Sequence, residues 1–291
     1  MTGTPNFLVI GAMKCATSSL HEQLALQPGI FMTDLKEPNF FSDDGQYEKG
    51  GNWYMSLFNP EETDCLYGES STHYTKLPTY PETIDRMRAH IDAVDDLKFI
   101  YVIRHPIDRL VSQYIHEWSQ RIISSKTDIN EAIYSFPELV DYSRYSMQLQ
   151  PYFQNFGKEN VLPVFFERLT RNPQPELERI CSFLGYANKP VWHHDLNAQN
   201  VSSERMRQSE WREFLVDAPV LSHIRKTLIP KSFRTRVRRL WTLSERPQLS
   251  AENLEYLEKI FDQDLEILKS WLDCETLTCK NFKQIATQQN S

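Results

Sequence analysis

Residues 7–20 read FLVIGAMKCATSSL, and the fold is decided in this stretch. Phe7–Ile10 is an unbroken apolar run, long enough for a strand that is buried on both faces. Gly11, Lys14 and the hydroxyl-rich run Thr17–Ser19 follow, and helical residues come next. The N–H groups at a helix start bind anions, and the helix dipole adds about half a positive charge there. The stretch therefore predicts an anion-binding strand, loop and helix.

The loop differs from the nucleotide P-loop, whose pattern is G-x-x-x-x-G-K-[ST]. Lys14 comes three residues after Gly11, and Ala16 rather than lysine precedes Thr17. The lysine would therefore reach a phosphate from a different position. An ordinary strand–turn–helix with a solvent-facing lysine is the alternative that this stretch leaves open.

The composition is that of a globular protein. The chain has 291 residues, of which 40% are hydrophobic and 24% charged, and this is enough for one large α/β domain. A net charge of −7 disfavours general nucleic-acid binding. The five cysteines lack the spacing of a disulfide or zinc scaffold, so no metal is expected. Pairing of Cys274 with Cys279 stays open.

Two further features bear on location. The N-terminus has no basic segment followed by a cleavable apolar one, and no run of about 18 apolar residues occurs. We expect a cytosolic protein without a membrane span. The sequence does not predict the oligomeric state.

A second buried strand is predicted over Leu97–Ile103. Arg104 stands at its carboxyl end, where open α/β sheets bind ligands. A surface ion pair is the alternative role for this arginine. Pro106 suits the first turn of the helix that follows. Three polar side chains of that helix recur every fourth residue and share one face: Asp108, Ser112 and His116.

The remaining pattern completes an α/β fold. Short strands are predicted over residues 30–32 and from Leu66, and a longer one over 160–166. Helices are predicted over 83–93, 142–156, 175–184 and 250–271, the last with Ser250 as its N-cap. We predict a P-loop-like three-layer α/β/α domain with a central, mostly parallel sheet. It is a single domain over residues 1–291, with a core over about 5–190 and a helical C-terminal extension over about 200–275.

The segment Lys36–Phe41 reads KEPNFF. A residue before proline is pushed towards extended geometry, so Glu37 is predicted to lie in an extended loop. Phe40 and Phe41 would remove water from its carboxylate and make it a stronger base. A solvated loop carboxylate is the alternative.

Two motifs, about 90 residues apart, resemble those of one family. Residues 11–20 follow G-x-x-K-x-x-[TS]-[TS]-x-L after a first strand, and residues 104–114 follow R-x-P-x-x-R-x-x-S-x-Y after a later one. In this order the pair resembles the sulfotransferases that use 3′-phosphoadenosine 5′-phosphosulfate (PAPS). Residues 159–186 resemble the later strand–helix unit of that family.

Within the family, KEPNFF resembles the KE-x-x-FF segment of heparan-sulfate and related carbohydrate sulfotransferases. The spacing of Ser112, Tyr114 and His116 resembles that of the N-sulfotransferase members. The resemblance implies transfer of the sulfuryl group of PAPS to a hydroxyl, or less favourably an amine, of a carbohydrate, with no metal required.

The resemblance also implies roles for individual residues. Glu37 would be the general base, and Lys14 and His116 the other catalytic residues. The acceptor would be bound by Lys36, His73 and Tyr74. The cofactor would be bound by Lys14, Cys15, Ala16, Thr17, Ser18, Ser19, Arg104, Ser112, Arg205 and Arg207.

The chain departs from the family at three positions. Ala16 replaces a usual glycine, which makes the loop less free. In the element that resembles E-K-[ST]-P-x-Y, Ser70 replaces the lysine and Thr72 the proline. The lost lysine puts a highly sulfated acceptor in doubt and keeps a small-molecule, lipid or acyl-chain alcohol open. A non-catalytic nucleotide-binding protein and a P-loop kinase are the alternatives outside the family.

Overall fold

A parallel sheet lies at the centre of the fold. The computed structural model describes residues 4–58, 65–91, 94–194, 246–272 and 274–288, and these residues contain one sheet of five strands. The strands are β1 (Phe7–Gly11), β2 (Ile30–Met32), β3 (Leu66–Ser70), β4 (Lys98–Ile103) and β5 (Val161–Phe165). Their order is β2-β3-β1-β4-β5, and every neighbouring pair is parallel.

The two central strands form where the sequence has continuous apolar runs. Every residue of β1 is buried, and in β4 only Lys98 is not. Burial on both faces is typical of parallel strands that helices cover. Leu8 lies opposite Glu69 of β3 on one side and opposite Phe99 of β4 on the other. The predicted central parallel sheet is confirmed.

Helices flank this sheet and connect its strands. They are α1 (Thr17–Ala25), α2 (Asp44–Tyr47), α3 (Gly51–Ser56), α4 (Thr83–His90), α5 (Pro106–Ser119), α6 (Ile129–Ser135), α7 (Glu138–Asp141), α8 (Tyr145–Phe156), α9 (Phe166–Arg171), α10 (Pro173–Phe183), α11 (Ala251–Leu268) and α12 (Phe282–Thr287). α1 packs on β1, β2 and β3, whereas α8 and α10 pack on β5. The fold is therefore the predicted P-loop-like α/β/α arrangement.

Helix α8 begins at Tyr145 and not, as predicted, at Tyr142. The cause lies in α11, where the Asp264 carboxylate accepts the N–H of Ser146 at 2.8 Å and that of Met147 at 3.2 Å. A carboxylate more than 100 residues away thus caps the start of α8. Local sequence does not reveal this kind of cap.

The last long helix follows its prediction more closely. Ser250 caps α11 by accepting the N–H of Asn253 at 3.2 Å. Leu254 of this helix is 38% exposed. The buried stripe consists of Leu257, Phe261, Leu265 and Leu268. Because this part of the chain is described only from Arg246 onward, the full helical extension and the single domain stay predictions.

Two other properties concern the described residues alone. All five cysteines are free thiols there, including Cys274 and Cys279. No helix in the described ranges is long and apolar enough to cross a membrane.

The carboxyl end of β1 is the topological switch point of the sheet. From β1 the chain moves to β3 and β2 on one side, and it later enters β4 on the other side. Open α/β sheets bind ligands at such a point. Three segments meet there, namely the loop over residues 12–16, the chain after Ser70, and Arg104.

Candidate active site

The loop between β1 and α1 closes on itself before the helix begins. The N–H of Cys15 donates to the Ala12 carbonyl at 3.2 Å, and Lys14 and Ala16 have φ angles of 73° and 61°. The first turn of α1 contains no acidic residue, and no side chain caps it. The N–H groups at the start of the helix, those of Thr17–Ser19, are therefore suited to an anion.

Cys15 does not fit its predicted role as a cofactor ligand. Its N–H is used inside the loop, and its side chain is fully buried. Burial raises the pKa of the Cys15 thiol to about 12, so the thiol stays protonated and inert. This residue shapes the loop.

Ala16 holds a left-handed conformation that favours glycine, since it has φ 61° and ψ 25°. We expect Ala16→Gly to increase the free energy of unfolding by about 0.5–1 kcal/mol. Relief of about 1–2 kcal/mol of backbone strain exceeds the added entropy of the unfolded chain. Urea denaturation measures this. Ala89→Gly in α4 is the control and should lower the stability, because Ala89 is exposed and helical. A loss of stability in Ala16→Gly would show that the backbone at Ala16 is not strained.

Arg104 joins the two sequence motifs in space. Its Nη1 donates to the Lys14 carbonyl at 3.1 Å, across a sequence separation of 90 residues. Its guanidinium carbon lies 4.5 Å from the centroid of the Phe166 ring. The Tyr145 hydroxyl donates to the Arg104 carbonyl at 2.6 Å. This arginine is half-buried and held at its backbone and side chain, unlike a residue of a surface ion pair.

The start of α5 is held by the C-terminal part of the chain. Pro106 is its first residue, as predicted, and His105 is its N-cap. The Nε2 of His105 donates to the Cys279 carbonyl at 2.9 Å, and burial lowers the pKa of this histidine. Asp108 pairs with Arg246 and with Lys283, each at 2.6 Å. On the same face of α5, Ser112 is buried and His116 half-buried.

The KEPNFF loop is fastened to the end of β3. The N–H of Glu37 donates to the Ser70 carbonyl at 2.9 Å, and that of Asn39 donates to the Ser71 hydroxyl at 3.0 Å. The Thr72 hydroxyl makes a long hydrogen bond, 3.4 Å, to Oε1 of Glu37. These bonds hold the half-buried Glu37 beside the carboxyl end of β3.

The extended conformation predicted for Glu37 is wrong. Its φ is 55°, in the left-handed region, although Pro38 follows it. The hydrogen bonds to β3 outweigh the preference that proline imposes, at a cost of about 1–2 kcal/mol for the left-handed backbone. Strain of this kind is concentrated at functional sites.

The two phenylalanines at the end of the KEPNFF loop anchor it to the hydrophobic core. Phe40 and Phe41 are fully buried, and both rings contact Tyr54 with centroids 4.8 Å apart. Their main contacts are thus within an aromatic cluster of the core. Their effect on the basicity of Glu37 stays a prediction.

Glu69 of β3 is a fully buried carboxylate beneath this loop. It accepts hydrogen bonds from the Ser71 hydroxyl at 2.8 Å and the Tyr54 hydroxyl at 3.3 Å. Burial raises the pKa of Glu69 from 4.5 to about 7, although the hydroxyl donors oppose the shift. Because Ser71 also accepts the N–H of Asn39, this carboxylate supports the loop that carries Glu37.

We expect Glu69→Gln to change the pH dependence of stability. Between about pH 4.5 and 7 the native state holds a proton that the unfolded state has lost, so the wild type loses stability as pH rises. The loss is on the order of 3 kcal/mol, since each unit by which the pKa differs between the folded and unfolded states is worth about 1.4 kcal/mol. The glutamine variant should lack this slope. Urea unfolding from pH 5 to 8.5 measures both proteins, and parallel curves would contradict the raised pKa.

Lys36, which the sequence predicted to bind the acceptor, lies against the start of α1. Its ammonium contacts the hydroxyl of Ser18 in the first turn of α1. Burial lowers the pKa of Lys36 below its usual value, while the carboxylates of Glu37 and Glu22 oppose the shift. An anion at the start of α1 would therefore meet a second lysine besides Lys14.

Ser70 faces α1. It is fully buried, and its hydroxyl lies 2.9 Å from Nδ1 of His21. Burial and the nearby charge of Lys36 lower the pKa of His21 to about 4, so the histidine is neutral. At the position where the resembling family carries a lysine, the chain thus has a packing contact.

The two other residues that the sequence predicted to bind the acceptor lie in different environments. His73 pairs with Asp43 at 2.9 Å and stacks on Tyr80 with ring centroids 4.9 Å apart. Its ring is half-buried at the edge of the site. Tyr74 is 2% exposed and packs against Phe41, so it belongs to the core and is not placed to contact an acceptor.

Some predicted features remain without a structural description. Arg205 and Arg207 lie outside the described residues. In the described part of the chain, no three His, Cys, Asp or Glu side chains form a group that could hold a metal ion.

Together these features define an α/β protein in which the loop after β1, suited to an anion, meets an arginine from a second motif at the switch point of the sheet. The family model for the sulfotransferase domain matches residues 4–269. The chain belongs to this sulfotransferase family, as the two motifs predicted.

Curated relatives match part of the chain. Mouse heparan sulfate glucosamine 3-O-sulfotransferase 3A1 is 32% identical over an alignment of 188 residues, with 62% of this chain and 46% of that protein covered. Human bifunctional heparan sulfate N-deacetylase/N-sulfotransferase 2 is 28% identical over an alignment of 202 residues, with 62% of this chain and 22% of that protein covered. The chain therefore spans less than half the length of these relatives.

Solved structures share the fold along almost the whole chain. A sulfotransferase from Alicyclobacillus acidocaldarius superposes with a TM-score of 0.64 at 23% identity, over 94% of this chain and 97% of that one. The sulfotransferase domain from the curacin biosynthetic pathway gives a TM-score of 0.51 at 14% identity, over 95% and 100% of the two chains.

Proposed function

We propose that the chain transfers the sulfuryl group of PAPS to a hydroxyl of a carbohydrate, with an amine as the less favoured acceptor. The observation that carries the proposal is the hydrogen bond from Arg104 to the Lys14 carbonyl. It brings together a loop suited to a 5′-phosphosulfate and an arginine suited to a 3′-phosphate. A nucleotide with phosphates at both positions fits this arrangement.

The donor set fits such a nucleotide. Lys14, Lys36 and the N–H groups at the start of α1 would hold the 5′ end, because two lysine charges would join N–H groups that a helix start leaves without intrahelical acceptors. Arg104 and Ser112 would hold the 3′-phosphate, to which a planar guanidinium can bind through two parallel hydrogen bonds. The absence of acidic residues from the first turn of α1 favours an anion there.

The reaction needs a base and charge stabilisation. PAPS supplies the activated sulfuryl group. Glu37 accepts the proton of the acceptor hydroxyl, which is a poor nucleophile until that proton is removed. Lys14 and the amides of α1 stabilise the negative charge that develops at the 5′ end of the nucleotide. His116, on the inner face of α5, serves as a second proton acceptor or holds the sulfonate.

The carbohydrate acceptor is supported by the names of the relatives and by KEPNFF. A small-molecule or lipid alcohol is the second candidate, and the buried Ser70 favours it, because the site lacks a lysine there for an acidic glycan. The cytosolic location stays a prediction.

Transfer of labelled sulfate tests the proposal. The full chain is incubated with labelled PAPS and a panel of heparan-type glycans, neutral glycans, small alcohols and hydroxylated lipids. We expect label in a glycan. Label only in a small alcohol or a lipid would show that the acceptor is an alcohol of that class and not a carbohydrate. Binding of PAP, the product that PAPS leaves after transfer, without transfer to any acceptor would indicate a non-catalytic protein. Transfer of phosphate from labelled ATP with Mg²⁺ would indicate a kinase.

A further inference from the structure

Arg104 lies just beyond the end of the sheet, between a strand and a helix. The pairing of β4 with β5 ends at Ile103, which lies opposite Phe165. The residue after Arg104, His105, is already the N-cap of α5. The N–H and carbonyl of Arg104 therefore need partners from another element if this residue is to hold one conformation.

A single side chain at the start of α8 provides both partners. The Tyr145 hydroxyl donates to the Arg104 carbonyl at 2.6 Å and accepts the N–H of the same residue at 3.2 Å. One hydroxyl thus takes the place of a neighbouring strand for the residue after β4. Burial raises the pKa of Tyr145 well above its ordinary value, so the hydroxyl keeps the proton that it donates.

Tyr145 is itself fixed in the core. Its side chain is fully buried, and its ring lies edge-on to that of Tyr101 in β4, with centroids 6.0 Å apart. The next residue, Ser146, donates its N–H to the Asp264 carboxylate of α11 at 2.8 Å. The hydroxyl therefore belongs to a well-packed part of the fold and can hold Arg104 in one place.

The Arg104 side chain keeps donors for a ligand. Its Nη1 donates to the Lys14 carbonyl at 3.1 Å, and its guanidinium carbon lies 4.5 Å from the centroid of the Phe166 ring. A guanidinium has several further N–H donors in a rigid fork. Two parallel hydrogen bonds to a phosphate require this fork to be placed within about 0.5 Å, and its placement begins at the backbone of Arg104.

We propose that Tyr145 is a positioning residue of the nucleotide site, whose hydroxyl fixes the backbone of Arg104 so that the guanidinium meets the 3′-phosphate of PAPS. This inference rests on the proposed function for the identity of the nucleotide. The two hydrogen bonds between Tyr145 and Arg104 do not depend on it. Tyr145 acts through Arg104 and does not itself contact the nucleotide.

Calorimetry with PAP and with 5′-AMP, which lacks the 3′-phosphate, tests the proposal in the full chain. Tyr145→Phe keeps the ring and removes only the hydroxyl. It should weaken PAP by about fivefold to tenfold and 5′-AMP by less than about twofold. KM for PAPS should rise by about the same factor as the Kd of PAP, with kcat within about twofold. Unchanged PAP affinity, or equal losses for both nucleotides, would overturn the proposal.

Tyr152→Phe is the matched control. Tyr152 lies on the same helix, is 2% exposed, and donates its hydroxyl to the Tyr74 carbonyl at 2.7 Å. Both variants should lose stability to a similar extent in urea, because each deprives one backbone carbonyl of its donor. Only Tyr145→Phe should change the ratio of the two nucleotide affinities. An equal change of that ratio in Tyr152→Phe would overturn the proposal, because general loosening of α8 would then explain it.

A double-mutant cycle shows whether Tyr145 acts through Arg104. In an Arg104→Ala background, Tyr145→Phe should weaken PAP by less than about twofold, because the side chain that the hydroxyl positions is already gone. A further loss of about fivefold to tenfold in that background would overturn the proposal.

Amide hydrogen exchange, followed by NMR, tests the anchor without any nucleotide. The Arg104 N–H should exchange at least about tenfold faster in Tyr145→Phe than in the wild type or in Tyr152→Phe, because its acceptor is lost. Unchanged exchange would overturn the proposal. A wild type that binds PAP no tighter than 5′-AMP would instead refute the proposed function, and the exchange of the Arg104 N–H would then decide alone whether Tyr145 holds this backbone.

Discussion

Glu37→Gln is expected to lower turnover by on the order of a hundredfold or more, while the affinity for PAP stays nearly that of the wild type. Glutamine cannot accept the proton of the acceptor hydroxyl. It can keep the long hydrogen bond from Thr72 and the backbone bond to Ser70 that set the loop. Steady-state kinetics with labelled PAPS and calorimetry with PAP separate the two quantities.

Glu22→Gln provides the matched control for this experiment. Glu22 is an acid of α1 whose charge acts on Lys36, as that of Glu37 does, but nothing places it near an acceptor. Its substitution should leave turnover near the wild-type rate. If Glu37→Gln turns over as fast as Glu22→Gln, Glu37 is not the base.

Arg104→Ala should weaken the binding of PAP by about a hundredfold, as expected for loss of charge-assisted hydrogen bonds to a phosphate. The binding of 5′-AMP should weaken much less. Some effect on 5′-AMP is expected, because Arg104 also donates to the Lys14 carbonyl and so supports the loop at the 5′ end. Calorimetry with both nucleotides measures the difference.

Ser112→Ala separates these two contributions of Arg104. Ser112 is 4% exposed on α5, and its hydroxyl is expected to bind the 3′-phosphate alone. Its loss should weaken PAP by about tenfold and leave 5′-AMP unchanged. Arg144, which is paired with Asp141 at 3.5 Å at the start of α8, is the control arginine, and Arg144→Ala should affect neither nucleotide. Equal losses of PAP and 5′-AMP in Arg104→Ala would contradict the 3′-phosphate role.

The parts of the fold that local pattern determines could be predicted. Strands β1 and β4 are apolar runs buried on both faces, so their place at the centre follows from composition. Pro106 and Ser250 mark helix starts because φ restriction and side-chain capping act within a few residues. Arg104 could be placed at the switch point because it directly follows β4.

The parts of the fold and of the site that depend on contacts between distant segments could not be predicted from the sequence. The left-handed φ of Glu37 follows from bonds to β3, and the position of Lys36 follows from its contact with Ser18. Tyr74 lies in a polar stretch of the sequence, yet its ring is buried against Phe41. The supporting role of Glu69 has no local signal, because Tyr54 and the Asn39 loop that it supports lie on other segments.

The central claim is that the loop after β1 and the start of α5 form one site for a nucleotide with both a 5′ and a 3′ phosphate. Calorimetric titration of the wild-type chain with PAP and, separately, with 5′-AMP tests it most directly. We predict binding of one PAP per chain, at least about a hundredfold tighter than 5′-AMP, because Arg104 and Ser112 contact only the nucleotide with a 3′-phosphate. Equal affinity for the two nucleotides, or no binding of PAP, would contradict the claim.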